Sequence, residues 1–189
     1  MPPQKPADST IYQFKVTLRD IKPPIWRRIQ VRSETTLGKL HDILQVTMGW
    51  FDGHLHVFEI QGRQYGRPDP EFDWDVNDAS KVQLSQVVTG EKFKFLYIYD
   101  MGDGWEHEIV LEKLLPADPE THYPTCIKGK RACPPEDCGG AWGYAEFLAA
   151  IQTPTHPEHE SMLEWVGGEF DPEEFDIDGI NEVLEQIGS

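Results

Sequence analysis

The chain constrains its own fold most sharply at Tyr97-Ile98-Tyr99-Asp100-Met101-Gly102-Asp103-Gly104-Trp105-Glu106-His107-Glu108-Ile109. Apolar and polar side chains alternate on both sides of a glycine-rich turn, the pattern of a β-hairpin. A turn needs only glycine and one small polar residue. Two aspartates, followed by a histidine in register with Trp105, Ile109 and Leu111, are more chemistry than a turn requires. A site is expected here.

The same patterning organises the rest. Tyr12, Phe14, Val16 and Leu18 alternate with Gln13, Lys15, Thr17 and Arg19, as in a half-buried strand. Pro23-Pro24 interrupt it, because proline cannot donate to a ladder. Ile25, Ile29 and Val31 then mark a second strand, with Trp26, Arg28, Gln30 and Arg32 on its outer side. Thr36 is placed to cap a helix whose stripe is Leu37, Leu40, Ile43, Leu44 and Met48, closed by Gly49. A third strand is expected over 54–60, a long polar loop over 61–80, and a short helical piece near Leu84. The hairpin follows over 92–112. Residues 113–139 show no period, and helices are expected near 141–151, 157–166 and 177–187. The pattern predicts a disordered segment at 1–9 and one α+β domain over 10–189. Its sheet is mostly antiparallel, the first half β-grasp-like, with carboxy-terminal helices packed on it.

At 189 residues the chain is long enough for a sizeable core. It has no apolar run of membrane-spanning length and no secretory-type stretch at its start, which implies a cytoplasmic protein. Three cysteines, an odd number, argue against a disulfide framework. The formal net charge of −16 argues against general affinity for nucleic acid or anionic membranes. The charge is uneven. Residues 1–50 carry eight Lys/Arg against four Asp/Glu, the remainder nine against twenty-nine, and no lysine or arginine follows Arg131.

Several phrases resemble one known family: Lys22-Pro23-Pro24-Ile25-Trp26-Arg27-Arg28, Met48-Gly49-Trp50, Gly53-His54-Leu55-His56-Val57-Phe58, the Tyr99–His107 turn, Cys133-Pro134-Pro135-Glu136-Asp137-Cys138-Gly139-Gly140, and Phe170-Asp171-Pro172-Glu173-Glu174-Phe175. They are similar to the plasmid pRiA ORF-three-like family, small prokaryotic proteins of unsettled function, over about Ile11 to Leu184. The resemblance implies a link to plasmids and mobile DNA, since members are sometimes labelled passenger or resolvase-type proteins. A serine resolvase needs an activated serine among arginines. Ser33, Ser80, Ser85 and Ser161 have no such setting, so no catalytic residue is carried over.

Three constellations carry chemistry. The first is metal-like: His54 and His56 two apart on a strand, His107 on the hairpin, and Asp100 or Asp103 as an oxygen ligand. Three ligands and an open position would suit a metal that activates water. The alternative is a set of partly buried histidines that orient the hairpin. The second is Cys126, Cys133 and Cys138, with His122 as a possible fourth zinc ligand, although Cys-x6-Cys-x4-Cys lacks a knuckle and the thiols can equally be small core groups. The third is an amino-terminal basic face of Lys15, Arg19, Trp26, Arg28 and Arg32, able to stack a base and hold phosphate, or to be spent on internal ion pairs. Arg27 falls on the apolar side, where a charge must be paired; Glu136 or Asp137 is the expected mate.

No phosphate-cradling glycine loop, nucleophile elbow or dinucleotide fingerprint is present, which leaves ATP and NAD chemistry without support. The residues point to a cytoplasmic binding or adaptor protein with an unknown protein or small-molecule partner. The alternative is a metal-dependent hydrolase, with zinc or another divalent ion, in which Asp103 or Glu106 is the base and His107 assists.

Overall fold

The computed structural model describes residues 9–188. The expected disordered segment lies outside these residues except for Ser9, whose hydroxyl donates to Glu34. Strands β1 (Thr10–Leu18) and β2 (Trp26–Arg32) form the anticipated antiparallel hairpin, with Phe14 opposite Ile29. Thr36 accepts from the Lys39 amide to start α1 (Leu37–Met48), and Gly49 ends it in the left-handed region. Next come β3 (His56–Ile60), β4 (Arg63–Gly66), β5 (Asn77–Asp78) and α2 (Leu84–Val87). The chemical hairpin is β6 (Lys94–Tyr99) and β7 (Trp105–Pro116); β8 (Thr125–Lys130), α3 (Gly140–Gln152), α4 (His159–Val166) and α5 (Ile177–Ile187) complete the chain.

The strands form one sheet in the order β5-β4-β3-β6-β7-β1-β2-β8. Every neighbouring pair is antiparallel except β4 with β5. The protein is therefore α+β with a mostly antiparallel sheet. One face carries Phe14, Val16, Ile29, Phe58, Tyr97, Tyr99, Trp105 and Ile109, and Leu40, Ile43 and Leu44 of α1 and Leu184 of α5 close over it in a single core. Among the described residues, no helix is long and apolar enough to cross a membrane.

Two segments differ from expectation. Residues 61–80 are not one loop: β4 pairs with β3, and Tyr65 and Val76 are buried. Four residues are too few for alternation to stand out among polar neighbours. In the stretch without a period, β8 forms the sheet edge beside β2. Its exposed backbone is covered by Asn181 of α5, whose side chain accepts from the Cys126 amide and donates to the Cys126 carbonyl. A side-chain amide thus substitutes for a neighbouring strand.

Arg27 is buried, and its expected carboxylate mate is wrong. Its Nε donates to the Thr47 carbonyl at 2.7 Å, and its Nη1 donates to the carbonyls of Trp26 and Lys130. The guanidinium also lies 4.6 Å from the Phe175 ring centroid. Three carbonyls and a π-face replace a counter-ion, and one belongs to the last turn of α1, where the helix dipole favours a cation. Burial lowers the Arg27 pKa from its ordinary value. Replacing Arg27 with Met strands these carbonyls and should cost about 2–4 kcal/mol. Arg27→Lys should recover only part of that loss, because one ammonium cannot reach all three. Urea midpoints of the two variants measure both effects.

Candidate functional site

The hairpin turn is built by Asp100. It adopts a positive φ of 62°, which aspartate tolerates. Its Oδ1 accepts from the amides of Gly102 and Asp103. Asp103 turns outward and accepts from the Gly139 amide, tying the Cys133–Gly140 loop to the hairpin. The join is tight: a Cβ on Gly140 would lie 2.6 Å from the Asp103 carbonyl oxygen, so only glycine fits.

That join delivers two carboxylates to His54. The imidazole Nε2 lies 2.9 Å from Asp137 Oδ1, 3.5 Å from Asp100 Oδ2 and 3.8 Å from Glu136 Oε2. Asp100 and Glu136 are each fastened through the other oxygen. Glu136 Oε1 accepts from the Phe51 amide and from the Tyr99 hydroxyl, which itself accepts from the Gly53 amide. Burial, and the bond to Glu136, raise the Tyr99 pKa. Asp100 and Glu136 thus present one free oxygen toward one nitrogen.

The imidazole convergence expected from sequence does not form. His54 precedes β3, in the loop containing Asp52 with its positive φ, so it does not share a strand face with His56. His56 lies opposite Tyr99, and His107 lies opposite Tyr97. The Tyr97 ring lies close to both, its centroid 6.0 Å from that of His56 and 5.2 Å from that of His107. His107 is fully buried, with Nδ1 3.1 Å from the Tyr97 carbonyl. His56 instead stacks on His41 with ring centroids 3.5 Å apart. His41 contacts Asp52 Oδ1 through Nε2 and the Tyr97 hydroxyl through Nδ1, each at 2.7 Å. His41, Asp52, Glu136 and Asp137 were not anticipated as site residues. His41 looks like an interior helix position, and the Glu136-Asp137 pair was assigned to Arg27.

Neither anticipated base is free. Glu106 pairs with Arg19 at 3.0 Å on the sheet face opposite His107, because neighbours on a strand alternate. Asp103 is engaged with Gly139. The cysteines also fail to gather with a histidine. Cys126 is in β8, and His122 lies against Gly188 at the end of α5. Among the described residues, no group of three metal-ligating side chains includes a cysteine. Burial pushes the thiols of Cys133 and Cys138 up to about 12, which suits core groups rather than thiolates.

The basic face is spent on the sheet itself. Arg28 makes a two-point pair with Glu112, and Lys15 and Arg28 lie at 4.9 and 5.1 Å from the Trp26 ring. Arg32 lies over Tyr123. The partners come from β7 and the adjoining segment, not from the acidic carboxy-terminal helices.

The architecture is an open, mostly antiparallel sheet with helices over one face and a histidine–carboxylate group at one end of its strands. A family model described as Plasmid pRiA4b ORF-3-like protein matches residues 10–179. The chain belongs to that family. It is 38% identical over 184 residues to the uncharacterized protein y4hQ of Sinorhizobium fredii (strain NBRC 101917 / NGR234), covering 96% of this chain and 94% of the relative. It is also similar to the crystal structure of a protein of unknown function, MM3350, from Methanosarcina mazei Go1. There the TM-score is 0.81 at 38% identity, over 90% of this chain and 97% of the other.

The buried histidines set a pH response. Burial pulls His107 down to about 4 and His56 to about 3, the latter aided by neighbouring His41. Unfolded, both titrate near 6.5. Between those values the unfolded chain takes up protons that the fold refuses, so stability falls as pH drops below about 6.5. The slope reaches about 1.4 kcal/mol per pH unit per histidine. Urea midpoints from pH 7.5 to 5 should show this, and His107→Gln should flatten the slope by one proton.

Proposed function

We propose that this is a cytoplasmic binding protein of a plasmid- and mobile-element-borne lineage, working through a divalent cation held at His54, Asp100 and Asp137, with Glu136 beside them. The observation that carries this is that ligand atoms of His54, Asp100 and Asp137, one from each, lie within 4.8 Å of one another, with Asp137 and Asp100 oxygens 2.9 and 3.5 Å from His54 Nε2. Two ligands about 2.1 Å from one ion lie roughly 3.0 Å apart at a right angle and roughly 3.4 Å apart at the tetrahedral angle. Two oxygens and one nitrogen, with the remaining positions open, suit manganese, iron or zinc.

Asp137 is exposed, so the ion would face solvent on one side, where an anionic group of the partner can complete its shell. Phe51, Leu55 and Met101 are exposed on the same loops and supply apolar contact around that point. A hydrolytic role would use the same open position for water, but Asp103 and Glu106 are both engaged elsewhere, which favours binding over turnover.

Chelator-stripped protein titrated calorimetrically with Mn2+ should bind one equivalent. His54→Ala and Asp100→Asn should each weaken it by about 100-fold or more. Isotherms identical to the parent protein would refute the cation reading.

A further inference from the structure

The loop that carries His54 also carries Asp52, which belongs to a second group of ligand atoms. His41, Asp52 and His56 each offer one atom, all within 4.8 Å of one another. We propose that these three side chains form a second, nitrogen-rich site for a borderline transition ion such as Zn2+ or Ni2+, separate from the oxygen-rich group at His54.

The independent sign is His56. The residue is only 5% exposed, and its Nε2 is enclosed with no hydrogen-bond partner. A buried polar atom left in that condition is destabilising, and an ion bound to it would remove the deficit. The alternative for such an atom is plain structural burial, as at His107. Among the described residues, however, His107 belongs to no group of three metal-ligating side chains. Two imidazoles and one carboxylate are the donor set that zinc and nickel accept.

The surroundings fit a ligand role. His41 and His56 stack at 3.5 Å with planes 8° apart, as neutral rings can. Burial lowers the pKa of both, which keeps them in the form that binds metal. The outer contacts are already in place: His41 Nδ1 meets the Tyr97 hydroxyl, Gln45 Nε2 donates to that hydroxyl, and Gln45 Oε1 accepts from the Asp52 amide. Such second contacts fix the tautomer and aim of a ligating histidine.

Ion entry takes the place of the hydrogen between His41 Nε2 and Asp52 Oδ1. The neutral ring keeps its one proton by shifting it to Nδ1, facing Tyr97. The parallel rings must splay for their lone pairs to converge, and Asp52, at a 42% exposed side chain, is free to open. Asp52 and His56 line a crevice of about 250 Å3 together with His54, Arg67 and Trp74. Arg67 Nη2, 3.9 Å from Asp52 Oδ2, is the opposing cation at its exposed edge.

The test uses the full chain, stripped with chelator and titrated with Zn2+, read by imidazole 15N shifts and calorimetry. The Asp100→Asn/Asp137→Asn double variant should still bind one equivalent and shift His41 and His56. His56→Gln should weaken that binding by more than about 100-fold, and Arg67→Gln should tighten it several-fold. If Zn2+ shifts His54 alone, the second site is overturned while the His54 reading stands. If it shifts His41 and His56 but not His54, the second site stands and the first reading falls. A His56→Gln protein with native near-ultraviolet circular dichroism and unchanged affinity would also overturn it.

Discussion

Two tyrosines on one strand organise the polar chemistry of this protein. Tyr97 and Tyr99 point into the core from β6, and a hydroxyl taken out of water must find partners. Tyr97 finds His41 and Gln45 on α1; Tyr99 finds the Gly53 amide and Glu136. Each hydroxyl therefore draws a different segment onto the sheet. The first fixes the face of α1 and, through Gln45, the Asp52 amide. The second joins the 50–55 loop to the Cys133–Gly140 loop. Both histidine–carboxylate groups are consequences of satisfying two phenols two residues apart.

Arg27 plays a matching part in the core. It joins the end of α1 to β2, β8 and Phe175 without any carboxylate. That leaves Glu136 and Asp137 available to His54. Meanwhile Arg19 and Arg28 pair with Glu106 and Glu112 of β7, and Lys15 and Arg32 lie over Trp26 and Tyr123. Asp100 and Asp137 are left facing His54 at the end of the strands.

Much of the frame was legible in the chain. Alternation gave β1, β2, β6 and β7; the Thr36 and Gly49 caps gave α1; and the Ile177–Ile187 stripe gave α5. Strands as short as β4 and β5, or as polar as β8, carry too few apolar positions to announce themselves. At the site, Asp100 and His54 were identifiable from residue type, but their companions were not. Two histidines separated by one residue share a face only if both lie on the strand, and the left-handed turn at Asp52 delays the strand until His56.

Local sequence settled the long extended segments, the capped or striped helices and some of the residues that bear chemistry, because those properties depend on neighbours within a few positions. Which imidazole meets which carboxylate was decided only by the packed chain. Contacts between residues 54, 100 and 137 depend on strand order and on how three loops dock, and both are fixed by long-range burial rather than by any period in the sequence.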